Sequence, residues 1–215
     1  MLPEGRGVAV KICGLTTPED AAVCVRLGVW GIGVVFAEGS PRRVDETTAA
    51  TVTAVVPATI ARVGVFVGTS PAEMARIARV VGLTHLQIHG DADPDEARRA
   101  SGLPVIHGIG VRDAASLDRA RASGADLVML DAAVAGRDGG TGTSFDWSLL
   151  TDNALGRPFA LAGGLRPETV GEAAVRLRPV LVDVSSGVES APGRKDPARV
   201  TAFVAAVAAV GQVVA

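Results

Sequence analysis

Cysteine is scarce in this chain: Cys13 and Cys24 are the two thiols in 215 residues. Two such residues build neither a disulfide framework nor a metal-ligand cluster, so the expectation is a cytoplasmic protein with free thiols. A surplus of one charge is also missing. With 21 Lys and Arg against 23 Asp and Glu, a net charge of −2 and no basic block, the sequence offers no electrostatic footprint for nucleic acid or an anionic membrane. The first residues hold no signal-peptide apolar segment. The apolar tail 202–215 is too short to span a bilayer and reads as an eighth helix packed on the fold. No break in composition marks a second domain. A composition of 48% hydrophobic and 20% charged residues supplies one large core, so a single domain over 1–215 is expected, as monomer or homodimer.

What is present repeats. Apolar runs at 8–12, 30–36, 62–67, 85–89, 105–109, 127–130, 159–162 and 181–184 make eight candidate strands. Helical patterns lie between them, and Thr17-Pro18-Glu19-Asp20 and Ser70-Pro71-Ala72-Glu73 each place a capping hydroxyl before a first-turn proline. Eight strand-helix units allow roughly 27 residues each, enough for a strand, a helix and two tight loops. The expected fold is therefore a small α/β protein, a single (β/α)₈ TIM barrel. The competing open doubly-wound sheet usually carries a glycine-rich phosphate loop after its first strand, whereas here such loops follow strands six, seven and eight.

Strand parity then sorts the side chains, because residues two apart share a face. Val8, Val10 and Ile12 form one set and Lys11 with Cys13 the other. A lysine on a central strand is costly to bury alone, so it should face the barrel interior and meet a carboxylate. Asp183 on strand eight supplies one only if the sheet closes, which makes a Lys11–Asp183 pair a test of closure. On strand four His85, Gln87 and His89 share the parity expected to point inward. Ligand chemistry gathers at the carboxyl ends of barrel strands. There the chain places Cys13, Arg42, His89, Asp131, Gly163-Gly164 and Ser185-Ser186-Gly187, with Gly142 in a glycine-rich loop at 139–147. Loops after strands seven and eight commonly hold a phosphate on backbone amides, so a small phosphorylated substrate is expected.

These residues carry a family resemblance. Val10-Lys11-Ile12-Cys13-Gly14, Ser40-Pro41-Arg42, Gln87-Ile88-His89-Gly90, Leu130-Asp131, the loop 139–147, Ala162-Gly163-Gly164-Leu165, and Val182-Asp183-Val184-Ser185-Ser186-Gly187-Val188-Glu189 with Pro192-Gly193 follow one another as in phosphoribosylanthranilate isomerases. The resemblance implies an Amadori rearrangement of an aminoaldose to a 1-amino-2-ketose in tryptophan biosynthesis, with no metal or organic cofactor. It implies Asp131 as the general acid at the ring oxygen, Cys13 as the base at the second sugar carbon, and Arg42 as the partner of the anthranilate carboxylate. Lys11, Gln87, His89 and Asp183 are expected to bind substrate, and Gly142, Gly163, Gly164, Ser185, Ser186 and Gly187 its phosphate. Departures from the family pattern, at 36–40, Arg43 and Thr143, fall in loops near the aryl and phosphate ends and bear on affinity more than on reaction type.

Plainer readings stand beside these. Cys24 lies mid-pattern in the first helix among Ala21, Ala22 and Val25 and reads as core. His89 is read as orienting or structural rather than catalytic, His107 has no family counterpart, and Asp146 and Trp147 read as cap and anchor of a helix. Arg166 and Arg194 are read as exposed arginines near the phosphate loops. At ordinary pKa values, the fraction carrying both a cysteine thiolate and a protonated aspartate at pH 7 is on the order of 10⁻⁵. Lys11 is expected to favour the Cys13 thiolate. The alternatives are the sister isomerase of histidine biosynthesis, a dual-specificity enzyme, and a barrel that only binds a sugar phosphate. The sister family uses an aspartate where Cys13 stands and has a second phosphate site in its first half, and a binding-only barrel would lack the acid or the base.

Overall fold

The structure, a computed structural model, describes residues 2–3, 7–131 and 155–213. The predicted loop at 139–147, with Gly142, Thr143, Asp146 and Trp147, lies outside the described residues. Eight strands form a closed parallel barrel in sequence order: β1 (Ala9–Ile12), β2 (Gly31–Val35), β3 (Ala61–Val67), β4 (His85–His89), β5 (Val105–Gly110), β6 (Leu127–Asp131), β7 (Phe159–Ala162) and β8 (Leu181–Val184). Closure is in register, with Ala9 opposite Leu181 and Lys11 opposite Asp183.

Around the barrel run α1 (Pro18–Arg26), α2 (Glu46–Ala54), α3 (Pro71–Val81), α4 (Pro94–Ser101), α5 (Ala114–Ala122), α6 (Pro167–Leu177) and α7 (Pro197–Val213). The two predicted caps are made: Thr17 accepts from the Asp20 amide and Ser70 from the Glu73 amide, each at 3.3 Å. The last helix starts at Pro197, ahead of the apolar tail. Asp196 sets that start by accepting from the amides of Ala198 and Arg199, a polar cap that a search for apolar residues passes over. A short antiparallel hairpin, β9 (Glu189–Ala191) and β10 (Arg194–Lys195), was not predicted. Strands of three and two residues are too short to show an alternating pattern.

Parity divides the core as expected. Outward residues such as Ile12, Ile32, Phe66, Leu86, Ile88 and Val182 pack under the helices. Inward residues Val63, Ile106, Leu127, Met129, Ala160 and Leu181 fill the barrel with Trp30 and Leu2 at its amino end. Each buried Val, Leu, Ile or Met among them contributes about 1.5–3 kcal/mol. With that end plugged by hydrocarbon, Lys11, Gln87, His89 and Asp183 face the interior nearer the carboxyl ends of their strands. His85, deepest of the polar set, sits edge-on to the Trp30 ring at 5.2 Å between centroids.

Candidate active site

Lys11 is fully buried on β1, and its Nζ lies 2.8 Å from Asp183 Oδ1 on β8. Burial works against the ammonium, but the charges of Asp183 and Cys13 outweigh it, and the Lys11 pKa is raised. The lysine is therefore a fixed cation inside the barrel. Cys13 follows two residues on, on the same face. Its amide is held by the Val184 carbonyl at 2.8 Å, so both ends of the closure seam position the thiol. Space for it comes from Gly33 on β2, where a Cβ would stand 2.8 Å from Cys13 Sγ and 3.1 Å from Lys11 Nζ.

The expectation that Lys11 favours the thiolate is met only in part. Burial pushes the Cys13 thiol up, Lys11 pulls it down, and Asp183 pushes it up again, for a net rise. The sequence shows the cation beside the sulfur but not the dry surroundings or the second charge. The thiol therefore holds its proton at neutral pH.

Asp131 ends β6, half-buried, between Gly110 of β5 and Ala162 of β7 in the strand register. His89 ends β4 and contacts Gln87 at 2.8 Å between the amide nitrogen and Nε2. With Gln87 as the donor, His89 carries its proton on Nδ1. Burial lowers the His89 pKa; the Asp131 charge opposes that shift and the Lys11 charge adds to it, leaving a neutral imidazole at pH 7. Gln87 is buried, and its Oε1 meets no hydrogen-bond partner among the described residues. A buried orphan acceptor costs free energy unless a ligand donor reaches it. His107 faces outward instead, against Ser123 at 2.9 Å, and takes no part in the mouth.

The two tail-end loops come together as expected. Gly163 and Gly164 both take positive φ, +90° and +64°. Ser185 leads into a 3-10 turn, Ser186–Val188. Gly187 presses its Cα against the Leu165 carbonyl, so a side chain there would collide with the neighbouring loop. Arg166 is exposed, and its pairing role is confined to the start of α6.

Arg42 stands in the loop after β2, as predicted, but a partner the sequence did not suggest holds it. Its Nε and Nη2 donate to the two oxygens of Glu189 at 2.8 and 2.6 Å. Glu189 also accepts from the buried Lys195 ammonium at 2.8 Å and from the Gly193 amide at 3.3 Å. Burial raises the Glu189 pKa, yet Arg42 and Lys195 more than offset it and keep the carboxylate ionised. Glu189 and Lys195 are the functional-site residues that sequence reasoning missed. Glu189 closes a motif segment and Lys195 follows the Pro192-Gly193 turn. Without the β9–β10 hairpin, nothing in the sequence brings them to a residue 147 positions away.

Among the described residues no group of His, Cys, Asp or Glu is arranged to hold a metal ion, and no helix is long and apolar enough to cross a membrane.

The chain is similar to proteins of known activity. The family model for N-(5'-phosphoribosyl)anthranilate (PRA) isomerase matches residues 10–206. The N-(5'-phosphoribosyl)anthranilate isomerase of Rubrobacter xylanophilus is 46% identical over 200 residues, covering 92% of this chain and 97% of its own. The crystal structure of phosphoribosyl anthranilate isomerase from Thermotoga maritima superposes with a TM-score of 0.85 at 35% identity, over 94% of this chain and 99% of that one. A second such structure is a complex with reduced 1-(o-carboxyphenylamino)-1-deoxyribulose 5-phosphate. It superposes with a TM-score of 0.80 at 34% identity, over the same shares of the two chains.

Proposed function

The chain belongs to the N-(5'-phosphoribosyl)anthranilate isomerase family, and on that premise we propose which of its side chains carry the reaction. The protein is an aldose-ketose isomerase of tryptophan biosynthesis, acting on a phosphorylated small molecule. Asp131 is the general acid: it gives a proton to the furanose oxygen as the bond from that oxygen to the first sugar carbon breaks. The lone pair of the aryl nitrogen forms the carbon-nitrogen double bond that replaces it. The iminium so formed acidifies the next carbon, and Cys13, as thiolate, removes its proton. The electrons left behind form a double bond between the first two carbons as those of the carbon-nitrogen double bond return to nitrogen, and the resulting enol becomes the ketose when the first carbon gains a proton and the enol hydroxyl loses its own.

The observation that carries this reading is the seam itself. A permanent cation, Lys11, lies beside the thiol that must become an anion and is anchored by Asp183 on the closing strand. Burial raises the energy of the thiolate, so the base is strong once formed, and Lys11 offsets part of that cost. Gln87, through its unpaired Oε1, and neutral His89 orient the sugar. Gly163, Gly164, Ser185, Ser186 and Gly187 cradle the phosphate with backbone groups. Arg42 meets the anthranilate carboxylate. Two free, buried thiols fit a reducing cytoplasm, where we place the protein.

The test is direct. Purified protein treated with chelator and given no cofactor should convert phosphoribosylanthranilate, followed by the loss of anthranilate fluorescence. Binding of the reduced product analogue without turnover would overturn the enzyme reading and leave a sugar-phosphate-binding barrel.

A further inference from the structure

Arg42 has two edges on which a guanidinium can make paired hydrogen bonds, the side-on edge of Nε with Nη2 and the end-on edge of Nη1 with Nη2. Glu189 takes the whole of the first, at 2.8 and 2.6 Å. Nη1 meets no acceptor among the described residues, and the side chain keeps 21% of its exposure. The stem is confined as well. Gly14, at φ +74°, lies against it so closely that a Cβ there would stand 2.6 Å from Arg42 Cδ, and the Arg42 amide is tied to Ser40 Oγ at 3.2 Å. The guanidinium therefore has one free edge and little freedom to turn it.

The clamp reaches further than Arg42. Lys195, its side chain 1% exposed, spends its ammonium on Glu189 at 2.8 Å and on the Ser185 carbonyl at 3.2 Å. The hairpin that carries both is stitched to the first loop and helix: Thr16 donates to the Gly193 carbonyl at 2.6 Å and the Lys195 amide donates to Asp20 at 3.1 Å. Arg199 of α7 adds a bond to the Glu189 carbonyl at 2.8 Å. Glu189 alone thus faces two cations, Arg42 and Lys195, and an arriving aryl carboxylate adds a second anion on the Arg42 side.

We propose that Glu189 is a positioning residue: it fixes Arg42 by the side-on edge so that the end-on edge is presented to the aryl carboxylate of the substrate, and through Lys195 it holds that edge at a set distance from the Ser185 loop at the phosphate end. This rests on the reading of Arg42 as the carboxylate's partner. The arrangement measures the substrate between its two anionic ends. Its recognition is for an N-aryl aminosugar phosphate bearing an acid group on the ring, and a ring without that acid forfeits the clamp.

The experiment compares two substrates, N-(5'-phosphoribosyl)anthranilate and the aniline compound that lacks the carboxylate. Glu189→Gln should raise KM for the anthranilate substrate by about tenfold to a hundredfold, the range for charge-assisted hydrogen bonds, and change kcat far less. On the aniline substrate the same variant should raise KM several-fold less, since the bond to the carboxylate is absent and only the link through Lys195 to the Ser185 loop remains to be disturbed. Glu189→Asp should restore part of the difference. Because Glu189→Gln leaves Lys195 buried without a counter-charge, the pair Glu189→Gln with Lys195→Met removes both charges. It should show the same selectivity, with activity on the aniline substrate reporting that the barrel is folded. Equal losses on both substrates would make Glu189 merely structural and overturn the proposal. Arg42→Ala separates the two levels of argument. If its effect is independent of the carboxylate, the reading of Arg42 itself fails; if it depends on the carboxylate and the Glu189 variants do not, only the positioning proposal fails.

Discussion

Removal of the Asp183 carboxylate tests the closing seam most sharply. In Asp183→Ala, Lys11 keeps its place, fully buried on β1, and loses the oxygen 2.8 Å from its Nζ. At an effective dielectric of 20, the lost attraction is about 6 kcal/mol. The folded protein has a cheaper escape, because Lys11 can shed its proton. From an unfolded-state value of about 10.4, neutralising a lysine at pH 7 costs about 5 kcal/mol, so this bounds the loss and agrees with the 3–5 kcal/mol typical of broken buried pairs. Adding Lys11→Met to Asp183→Ala removes both charges and should recover a large part of the deficit, giving a coupling of at least about 2 kcal/mol in a denaturant double-mutant cycle.

The pH dependence supplies an independent sign. In the unmodified protein the folded pKa of Lys11 is raised, so its stabilisation is fully present below the ordinary lysine value and lost only as pH climbs through the higher folded value. In Asp183→Ala the buried, unpartnered lysine has a depressed folded pKa and the unfolded chain binds the extra proton. Stability should then rise with pH by about 1.4 kcal/mol per unit until the unfolded lysine titrates near 10.4. A Cys13→Ala background removes the thiol as a substitute counter-ion. No coupling, together with a flat profile for Asp183→Ala between pH 7 and 10, would refute the account of the pair.

Much of this was legible in the sequence because parallel strands leave two strong signals. An apolar run covered on both faces marks each strand, and parity sends Lys11, Cys13, Gln87, His89 and Asp183 to one side. The seam could be inferred before any coordinates, since a buried lysine demands an acid and closure brings Asp183 opposite it. What stayed hidden depends on distance in sequence or on solvent. The hold of Glu189 on Arg42 joins residues 147 apart through a hairpin too short to carry a pattern. The net rise of the Cys13 pKa turns on burial, which a list of neighbouring charges does not contain. The start of α7 was misplaced because Asp196, not the apolar tail, sets it.

Cys13→Ala and Asp131→Asn should each lower kcat by at least about a hundredfold, while affinity for the reduced product analogue survives; near-normal turnover in either removes that residue from its role. Gly33→Ala should cost about 1–3 kcal/mol of stability and a larger share of activity, because its new Cβ would stand 2.8 Å from Cys13 Sγ; full activity would mean that the sulfur can move aside freely. The doubly phosphorylated substrate of the histidine-pathway isomerase should turn over poorly, since a buried phosphate without partners is expensive, and comparable efficiency on both substrates would make the protein dual-specific. The thiol itself offers the last test. Burial raises the Cys13 pKa and Lys11 only partly offsets it, so thiolate absorbance in a Cys24→Ala background should half-develop above the ordinary cysteine range. Between about pH 7.5 and that midpoint, kcat/KM should stay flat, because each unit of pH yields tenfold more thiolate and leaves tenfold less of the protonated acid that must act with it. Above the midpoint the thiolate saturates while the acid continues to vanish, and kcat/KM should fall tenfold per unit. A midpoint at or below about 8.5, or a rate that keeps climbing past the midpoint, would mean that the base is not this buried thiol.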